Sequence, residues 1–354
     1  MRLDSTPHVL IPFAACSAAA WLPTLEALPP STLKRLGQLL QGMRLVETDR
    51  QNAESLSPPH ERALARALGL ATLETPDGLM PWAAQDAATH LQAGDGTAWA
   101  WITPCHWAVR HLHATLTDPA VLELQESESR ALLALMQPYF ETDGITLHYL
   151  TPTCWLAEGE LFRRLPTASL DRVLARNVDA WLPGARQAER SAGPPQASSA
   201  PSGGSVLHEV KSVGVKTLTR LQNEMQMLLY THPFNDVRDS QRKLPVNSFW
   251  ISGTGDLPLH NAETVTPKAQ ISAPRSLAEA VFREDWAAYA QAWATLDAGE
   301  IAGLLARQSA GDTVRLTLCG EDSAQTFETH RASPWHRISS LFSPLRTLDV
   351  LKQL

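Results

Sequence analysis

Short apolar runs alternate with segments of helical periodicity in the first part of the chain. Residues 8–14 form an apolar run that ends in small residues, a pattern typical of a buried parallel strand that leads into a loop. Residues 31–40 carry leucines at helical spacing, and Ser31 can cap the helix that this spacing predicts. A further helix is predicted over 61–70. The first part of the chain is therefore predicted to form one strand followed by helices.

After residue 97 the pattern changes to alternating strands around one strong helix. The alternation of apolar and polar residues predicts strands, and the helical spacing of leucines predicts a helix. The predicted strands are 98–103, 114–117 and 144–150, and the predicted helix is 127–136. Strand, strand, helix and strand in so short a span indicate a compact α+β unit inserted in a larger domain.

The region around residue 200 differs from the rest of the chain in composition. Residues 191–205 are almost all Ser, Ala, Gly or Pro, which predicts a flexible linker. Beyond it, an amphipathic helix is predicted over 216–230, with strands over 246–251 and 313–318. The predicted fold is an α/β core with an inserted α+β domain. Its parts are 1–96 (core, first part), 97–183 (insertion), 184–210 (linker) and 211–354 (core, second part).

Composition narrows the function classes. The 354 residues are 44% hydrophobic and 19% charged, as in an ordinary soluble globular protein. Acidic residues outnumber basic ones by 37 to 30, which argues against a nucleic-acid partner. No apolar run reaches the roughly 20 residues that span a bilayer, so no membrane partner is expected. The four cysteines are far apart, which favours reduced thiols and a cytoplasmic protein. A secretion signal over 9–22 is the alternative.

The most specific pattern lies between residues 231 and 255. It predicts a helix end, a turn fixed by Pro233, a basic loop, and a buried strand that opens into a glycine loop. Ligands of α/β sheets sit beyond the carboxyl ends of strands. The candidate binding residues for a small phosphorylated or carboxylated ligand are Asn235, Arg238, Asn247, Gly253 and Gly255. The structural alternative is that the asparagines cap turns and the glycines only turn the chain.

The same segment resembles a known family. A His-Pro-x-Asn-x-x-Arg pattern, then Pro-x-Asn, an aromatic strand and Gly-x-Gly, is similar to the archaeal-type cofactor-independent phosphoglycerate mutases of the alkaline-phosphatase superfamily. The residues that carry the resemblance are His232, Pro233, Asn235, Arg238, Pro245, Asn247, Trp250, Gly253 and Gly255. The resemblance implies an alkaline-phosphatase-like sheet core with helices on both faces, interrupted by a smaller inserted domain.

The resemblance also implies phosphoryl transfer by two divalent ions, manganese or zinc, through a serine phosphoenzyme. The chain departs from this pattern, because Phe13-Ala14-Ala15 follows the first strand where the family has an aspartate. The candidate metal ligands that remain are Glu321, Asp322 and His330, and no catalytic nucleophile can be assigned. We therefore expect a degenerate mutase-like protein without a cofactor, which binds a small anion or a protein partner. An active mutase or phosphotransferase with an atypical site is the alternative.

Two further clusters have both a chemical and a structural interpretation. Residues 103–113 contain three histidines and Cys105, which is either a metal site of unusual spacing or a set of core and interface side chains. Arg172 and Arg176 are spaced to share one helix face. Such a pair either holds a phosphate or carboxylate, or lies on a solvated face.

Overall fold

The structure is a computed structural model that describes residues 6–94, 96–110, 113–174, 176–182, 205–257, 271–330 and 347–354. The chain divides into two compact units. The first unit comprises Met1–Glu54, Pro58–Gly69 and Ala262–Leu354, and the second comprises Ser55–Ser57 and Leu70–Asn261. Both combine helices with strands, so the predicted α/β class is confirmed. Among the described residues, no helix is both long and apolar enough to cross a membrane.

The first unit is built from strands and helices that come from both ends of the chain, numbered here in chain order. Its strands are β1 (His8–Ile11), β2 (Met43–Arg50), β9 (Ile271–Ser272), β10 (Arg315–Cys319) and β11 (Ser323–Thr329). Its helices are α1 (Trp21–Glu26), α2 (Lys34–Gln41), α3 (Pro59–Ala67), α9 (Ser276–Phe282), α10 (Trp286–Ala298), α11 (Glu300–Ser309) and α12 (Thr347–Leu351).

The five strands form one mixed sheet in the order β2-β11-β10-β1-β9. Strand β1 runs parallel to both β9 and β10, while β11 is antiparallel to β10 and to β2. One face of the sheet, with Val9 and Leu316, packs into the larger core against residues of α10 such as Trp293. The opposite face, with Leu10, packs on Ala63 of α3. Apolar side chains on both faces explain why β1 reads as a continuous apolar run.

Strand β2 is an edge strand that sequence analysis did not predict. Residues 44–48 are all exposed, so the strand lacks the buried face that would mark it in the sequence. The register shifts where Phe327 of β11 pairs with Leu45 and Thr326 pairs with Glu47, which leaves Val46 as an extra residue in β2. A bulge and charged side chains at a sheet edge oppose pairing with another chain.

The second unit contains a four-stranded antiparallel sheet in the order β6-β7-β3-β8 and a separate two-stranded sheet of β4 and β5. Its strands are β3 (Ala98–Cys105), β4 (Trp107–Arg110), β5 (His113–Leu116), β6 (Thr146–Thr151), β7 (Cys154–Glu158) and β8 (Ser248–Asp256). Its helices are α4 (Trp82–His90), α5 (Glu126–Glu141), α6 (Leu170–Val173), α7 (Ser205–Tyr230) and α8 (Pro233–Ser240).

One face of the four-stranded sheet packs on α5 and α7. Ile102 and Phe249 from the sheet share a core with Phe140 of α5 and Leu221 of α7. The other face packs on α4, through Trp99 of β3 and alanines of that helix. The sheet is therefore covered by helices on both sides, and the 231–255 segment lies where α7, α8 and β8 follow one another.

The second unit extends beyond the predicted insertion on both sides, because residues 70–96 and 211–261 also belong to it. Strand β8 pairs with β3 along its whole length, so it belongs to the second unit rather than to the part assigned to residues 211–354. Both strands are rich in apolar and aromatic residues, so the sequence pattern does not indicate which strands pair with each other. Most of the predicted linker, 184–204, lies outside the described residues, while residues 205–210 begin α7.

Candidate functional site

The His-Pro-x-Asn-x-x-Arg segment forms α8 and the chain on either side of it. His232 is the N-cap of this helix, and its Nδ1 accepts a hydrogen bond from the Phe234 backbone N–H at 3.1 Å. Pro233 occupies the first helical turn, where its fixed φ is favourable and its missing N–H costs nothing. The first two residues of the pattern thus define the start of a helix.

Asn235 joins the end of α7 to the chain that enters β8. Its amide nitrogen donates to the carbonyl oxygens of Leu229 at 2.9 Å and Val246 at 2.8 Å. Its side-chain oxygen accepts from the backbone N–H of Val246 at 3.0 Å. Both ends of the amide are used by the backbone, so its role here is to hold two segments together.

The Arg238 side chain is fully buried. Its guanidinium donates from Nε to the Leu244 carbonyl (2.8 Å), from Nη2 to the Leu122 carbonyl (2.6 Å) and from Nη1 to the Glu128 carboxylate (2.9 Å). These acceptors come from the loop after α8, from a 3₁₀ turn at Pro119–Leu122, and from the first turn of α5. Arg238 therefore connects the loop that follows its own helix to two segments that lie more than 100 residues earlier in the chain.

Glu128 completes this arrangement at the start of α5. Its carboxylate also accepts from the Gln125 backbone N–H at 2.9 Å, which makes the pair a capping box. Burial alone raises the pKa of Glu128, but the Gln125 N–H and the charges of Arg238 and Lys243 hold it below its ordinary value. The carboxylate is thus kept ionised as the counter-charge of Arg238.

Asn247 pairs with the backbone of a single residue. Its side-chain oxygen accepts from the Trp107 N–H at 2.8 Å, and its amide nitrogen donates to the Trp107 carbonyl at 3.0 Å. The side chain thus makes the two hydrogen bonds that a neighbouring strand would make. An aspartate of the same shape could accept but not donate.

Gly253 and Gly255 are needed for close packing within the second unit. Gly253 has a φ of +64°, and a β-carbon there would lie 2.8 Å from Cε3 of Trp101. Gly255 has a φ of +141°, and a β-carbon there would lie 3.2 Å from Cβ of Pro81. The chain itself, rather than a ligand, makes the close approach at both glycines.

These contacts favour the structural alternative for all five predicted binding residues. Each polar side chain among them is hydrogen-bonded to the chain's own backbone or carboxylates, and both glycines pack against side chains of the second unit. The predicted basic loop is wrong for Arg238, which lies in helix α8 with its side chain 1% exposed. Its N–H groups donate hydrogen bonds to acceptors that cannot be identified from the neighbouring sequence.

The three predicted metal ligands do not converge. Glu321 and Asp322 form the turn between β10 and β11, whereas His330 follows β11 at its other end. Seven residues of extended strand lie between them, which separates the two ends by roughly 25 Å. The Glu321 carboxylate instead accepts a hydrogen bond from the Ser17 backbone N–H at 2.8 Å. One ion cannot bind all three residues.

The carboxyl end of β1 is closed by apolar packing. Phe13 is buried with a left-handed φ of +54°, and its ring lies 4.8 Å from that of Phe282 and 5.6 Å from that of His60. The Tyr289 hydroxyl lies 3.0 Å from the Phe13 carbonyl and 3.1 Å from the Ala14 carbonyl, within hydrogen-bond distance of both. Phenyl and methyl groups have no lone pairs, so residues 13–15 do not fit a divalent ion through their side chains.

Ion pairs and a buried histidine line the face of the first sheet that α3 covers. Arg62 and Arg66 bind the Asp49 carboxylate at 2.8 and 2.7 Å. Burial alone raises the pKa of Asp49, but the two guanidinium groups hold it below its usual value. Both arginines are thus matched by a carboxylate, which disfavours them as receptors for a free anion.

His8 gives this face a pH dependence that can be measured. Burial, aided by the nearby Arg315 charge, lowers its pKa to about 4, and its Nε2 lies 2.8 Å from the Thr317 hydroxyl. Because the folded pKa lies below the unfolded value, the contribution to stability is full above pH 6.5 and is lost as the pH falls toward 4. Between pH 7 and 4, we expect the free energy of unfolding of the wild type to fall by about 3 kcal/mol more than that of His8→Gln. Parallel losses in urea titrations of the two proteins would contradict this assignment.

The two remaining clusters have structural contacts. His106 binds the Pro245 carbonyl through Nδ1 at 2.9 Å, while residues 111 and 112 lie outside the described residues. Arg172 is buried in α6 and donates to the Ser55 hydroxyl at 2.6 Å. Because α6 ends at Val173, Arg176 does not share its helix, and the predicted one-face pair is wrong.

No family model matches the chain. Over 89 residues, 25% of the chain, it is 37% identical to the UDP-N-acetylglucosamine--N-acetylmuramyl-(pentapeptide) pyrophosphoryl-undecaprenol N-acetylglucosamine transferase of Polaromonas sp.. The matched segment spans only 21% of that enzyme.

Two solved structures resemble the chain weakly. The cofactor-independent phosphoglycerate mutase from Thermoplasma acidophilum is 14% identical with a TM-score of 0.33, over 99% of this chain and 100% of that one. The PH0037 protein from Pyrococcus horikoshii is 10% identical with a TM-score of 0.42, over 92% of this chain and 87% of that one. Both scores are too low to establish a shared fold.

The mutase resemblance also implies a metal-binding Asp-x-x-x-His pair, and this spacing occurs directly after Gly255. Asp256, at the end of β8, is followed four residues later by His260, which lies outside the described residues. The Asp256 carboxylate binds Nη1 of Arg163 at 2.5 Å and is about one-third exposed. The signal that could have found it is the Asp-x-x-x-His spacing directly after Gly255.

Proposed function

We propose that this protein is a phosphoglycerate mutase-like member of the alkaline-phosphatase superfamily that has lost two-metal phosphoryl transfer and acts by binding a partner. In this proposal the first unit corresponds to the sheet core of the superfamily, and the second unit to the inserted domain. The order of segments supports it, since the second unit lies almost entirely between the two halves of the first.

The observation that carries the proposal is the carboxyl end of β1. The mutase pattern requires an aspartate there, and ligands of α/β sheets bind at this edge. In this chain the position is taken by Phe13, buried between the rings of Phe282 and His60. In this proposal, Phe13 stands where the superfamily has a metal-binding carboxylate, and its ring packs within the fold instead.

Between a small anion and a protein partner, the contacts support the partner. Arg238, Asn235 and Asn247 were the candidates for holding a phosphate or carboxylate, and all are bonded to the chain's own groups. A cytoplasmic location belongs to the same proposal. It is supported by the free state of all four cysteines, which suits a reducing compartment.

The test combines metal content, catalysis and ligand binding on the full chain. After incubation with manganese or zinc and desalting, we expect less than one equivalent of metal, no mutase or phosphatase activity, and no rise in melting temperature with 3-phosphoglycerate. A ligand that binds the native state would raise the melting temperature. Two retained equivalents of metal together with turnover would overturn the proposal.

An active phosphotransferase is the second candidate, and the spacing of Asp256 and His260 is what favours it. If the protein turns over a phosphorylated substrate, Asp256→Asn should abolish both turnover and metal retention. Arg163→Met serves as the control, because it breaks the ion pair with Asp256 but removes no metal ligand. Equal loss of activity in the two variants would assign Asp256 a structural role.

A further inference from the structure

A cleft of about 470 Å³ opens on the first unit, beside the connection between α1 and α2. This volume is within the range of pockets that bind small ligands or short peptide segments. The lining includes Leu28, Pro29, Pro30 and Leu33 from the α1–α2 connection, and Asp349 and Lys352 from α12. One wall therefore comes from the α1–α2 connection and the other from α12.

The floor of the cleft is apolar and fixed. Leu25 is 3% exposed and belongs to the main core of the first unit, and Leu28, Leu33 and Leu348 pack against that core while remaining partly exposed. Two adjacent prolines stiffen the wall, since their φ angles are locked. A wall that is already rigid loses little entropy when an apolar group binds to it.

The rim of the cleft carries an excess of negative charge. Lys352 Nζ lies 3.5 Å from the Glu26 carboxylate, so these two charges offset each other. Asp349 is exposed on the first turn of α12, and no other described residue forms an ion pair with it. The rim thus presents one carboxylate beside an apolar floor.

We propose that this cleft binds a short segment of a partner protein in which aliphatic side chains are flanked by lysine or arginine. The aliphatic group would fill the leucine floor, and the cation would bind Asp349. A second copy of the chain is disfavoured by size, because ten lining residues are fewer than the 20–30 residues a side of a stable protein interface. The proposal does not depend on the loss of phosphoryl transfer.

The test is fluorescence anisotropy with the full chain and a fluorescein-labelled peptide of sequence Gly-Lys-Leu-Leu-Arg-Gly. We expect a dissociation constant below about 1 mM, and at least tenfold weaker binding of the charge-swapped peptide Gly-Glu-Leu-Leu-Glu-Gly. Asp349→Lys should weaken binding of the basic peptide at least tenfold, and Asp349→Asn by a smaller factor. Asp349 is exposed, and thermal melts check that both variants fold.

Glu279→Lys is the matched control, because it makes the same change of charge at an exposed position that does not line the cleft. It should leave the affinity unchanged. Equal binding of the two peptides, or equal weakening by Glu279→Lys, would overturn the proposal. Concentration-dependent dimers in sedimentation velocity that Asp349→Lys dissociates would assign the cleft to a second copy, which would also overturn it.

Discussion

Substitution of Arg238 by lysine should lower the free energy of unfolding of the second unit by about 2–4 kcal/mol. The guanidinium reaches the Leu122 and Leu244 carbonyls and the Glu128 carboxylate at once. An ammonium group reaches at most part of this set, which leaves buried acceptors without donors. Urea unfolding followed by tryptophan fluorescence measures the loss.

Arg164→Lys is the control for this experiment, because Arg164 is an exposed arginine of the same unit. It should change the free energy of unfolding by less than about 0.5 kcal/mol. If Arg238→Lys were equally mild while 3-phosphoglycerate binding to the wild type were strong and lost in the variant, the buried arginine would be a ligand group after all.

Gly253→Ala should destabilise the second unit by about 2–4 kcal/mol. A left-handed φ costs a non-glycine residue about 1–2 kcal/mol, and the new methyl group would also lie 2.8 Å from the Trp101 ring. That ring cannot move freely, since its Nε1 donates to the Asp86 carboxylate at 3.0 Å. The midpoint of urea unfolding should fall, and the emission of Trp101 should shift in the folded state.

Gly303→Ala is the control, because Gly303 has neither the left-handed φ nor the close side-chain contact that make alanine unfavourable at Gly253. Gly303 lies inside α11, has no other atom within 4 Å of an added β-carbon, and does not have a left-handed φ. Alanine should stabilise this helix by roughly 0.5–1 kcal/mol. Destabilisation of similar size at both positions would mean that neither φ nor Trp101 explains the effect at Gly253.

Most strands with apolar faces could be predicted from the sequence, whereas β2 and β11, whose faces are polar, could not. β1 and β3 are buried along nearly their whole length, and both were predicted close to their places. β8 was predicted to end at residue 251 but continues to Asp256, and β7 was missed although residues 155–157 are buried. β2 has five consecutive exposed residues, and β11 buries polar side chains such as Thr326, whose hydroxyl bonds to that of Thr317 at 2.8 Å. Hydroxyl pairs of this kind satisfy the hydrogen bonds of a buried strand face, so the strand does not show a pattern of apolar residues in the sequence.

The candidate site shows what local spacing can and cannot reveal. The pattern around Arg238 is the most specific one that the sequence offers, but the role of Arg238 depends on acceptors as distant as Leu122, 116 residues away. Amide and guanidinium groups bind backbone carbonyls as readily as they bind ligands. A family resemblance that rests on such residues is therefore better evidence for a shared type of packing than for shared chemistry.

The pairing of β1 sets an order of events during synthesis. Among the described residues this strand pairs with β9 and β10, and its hydrogen-bonded partner Thr317 follows His8 by 309 residues. The second unit ends at residue 261, so it leaves the ribosome complete while β1 still has no neighbour. Domains fold as units during translation. The apolar residues of β1 are therefore without their partner strands until residues 271–319 have been made.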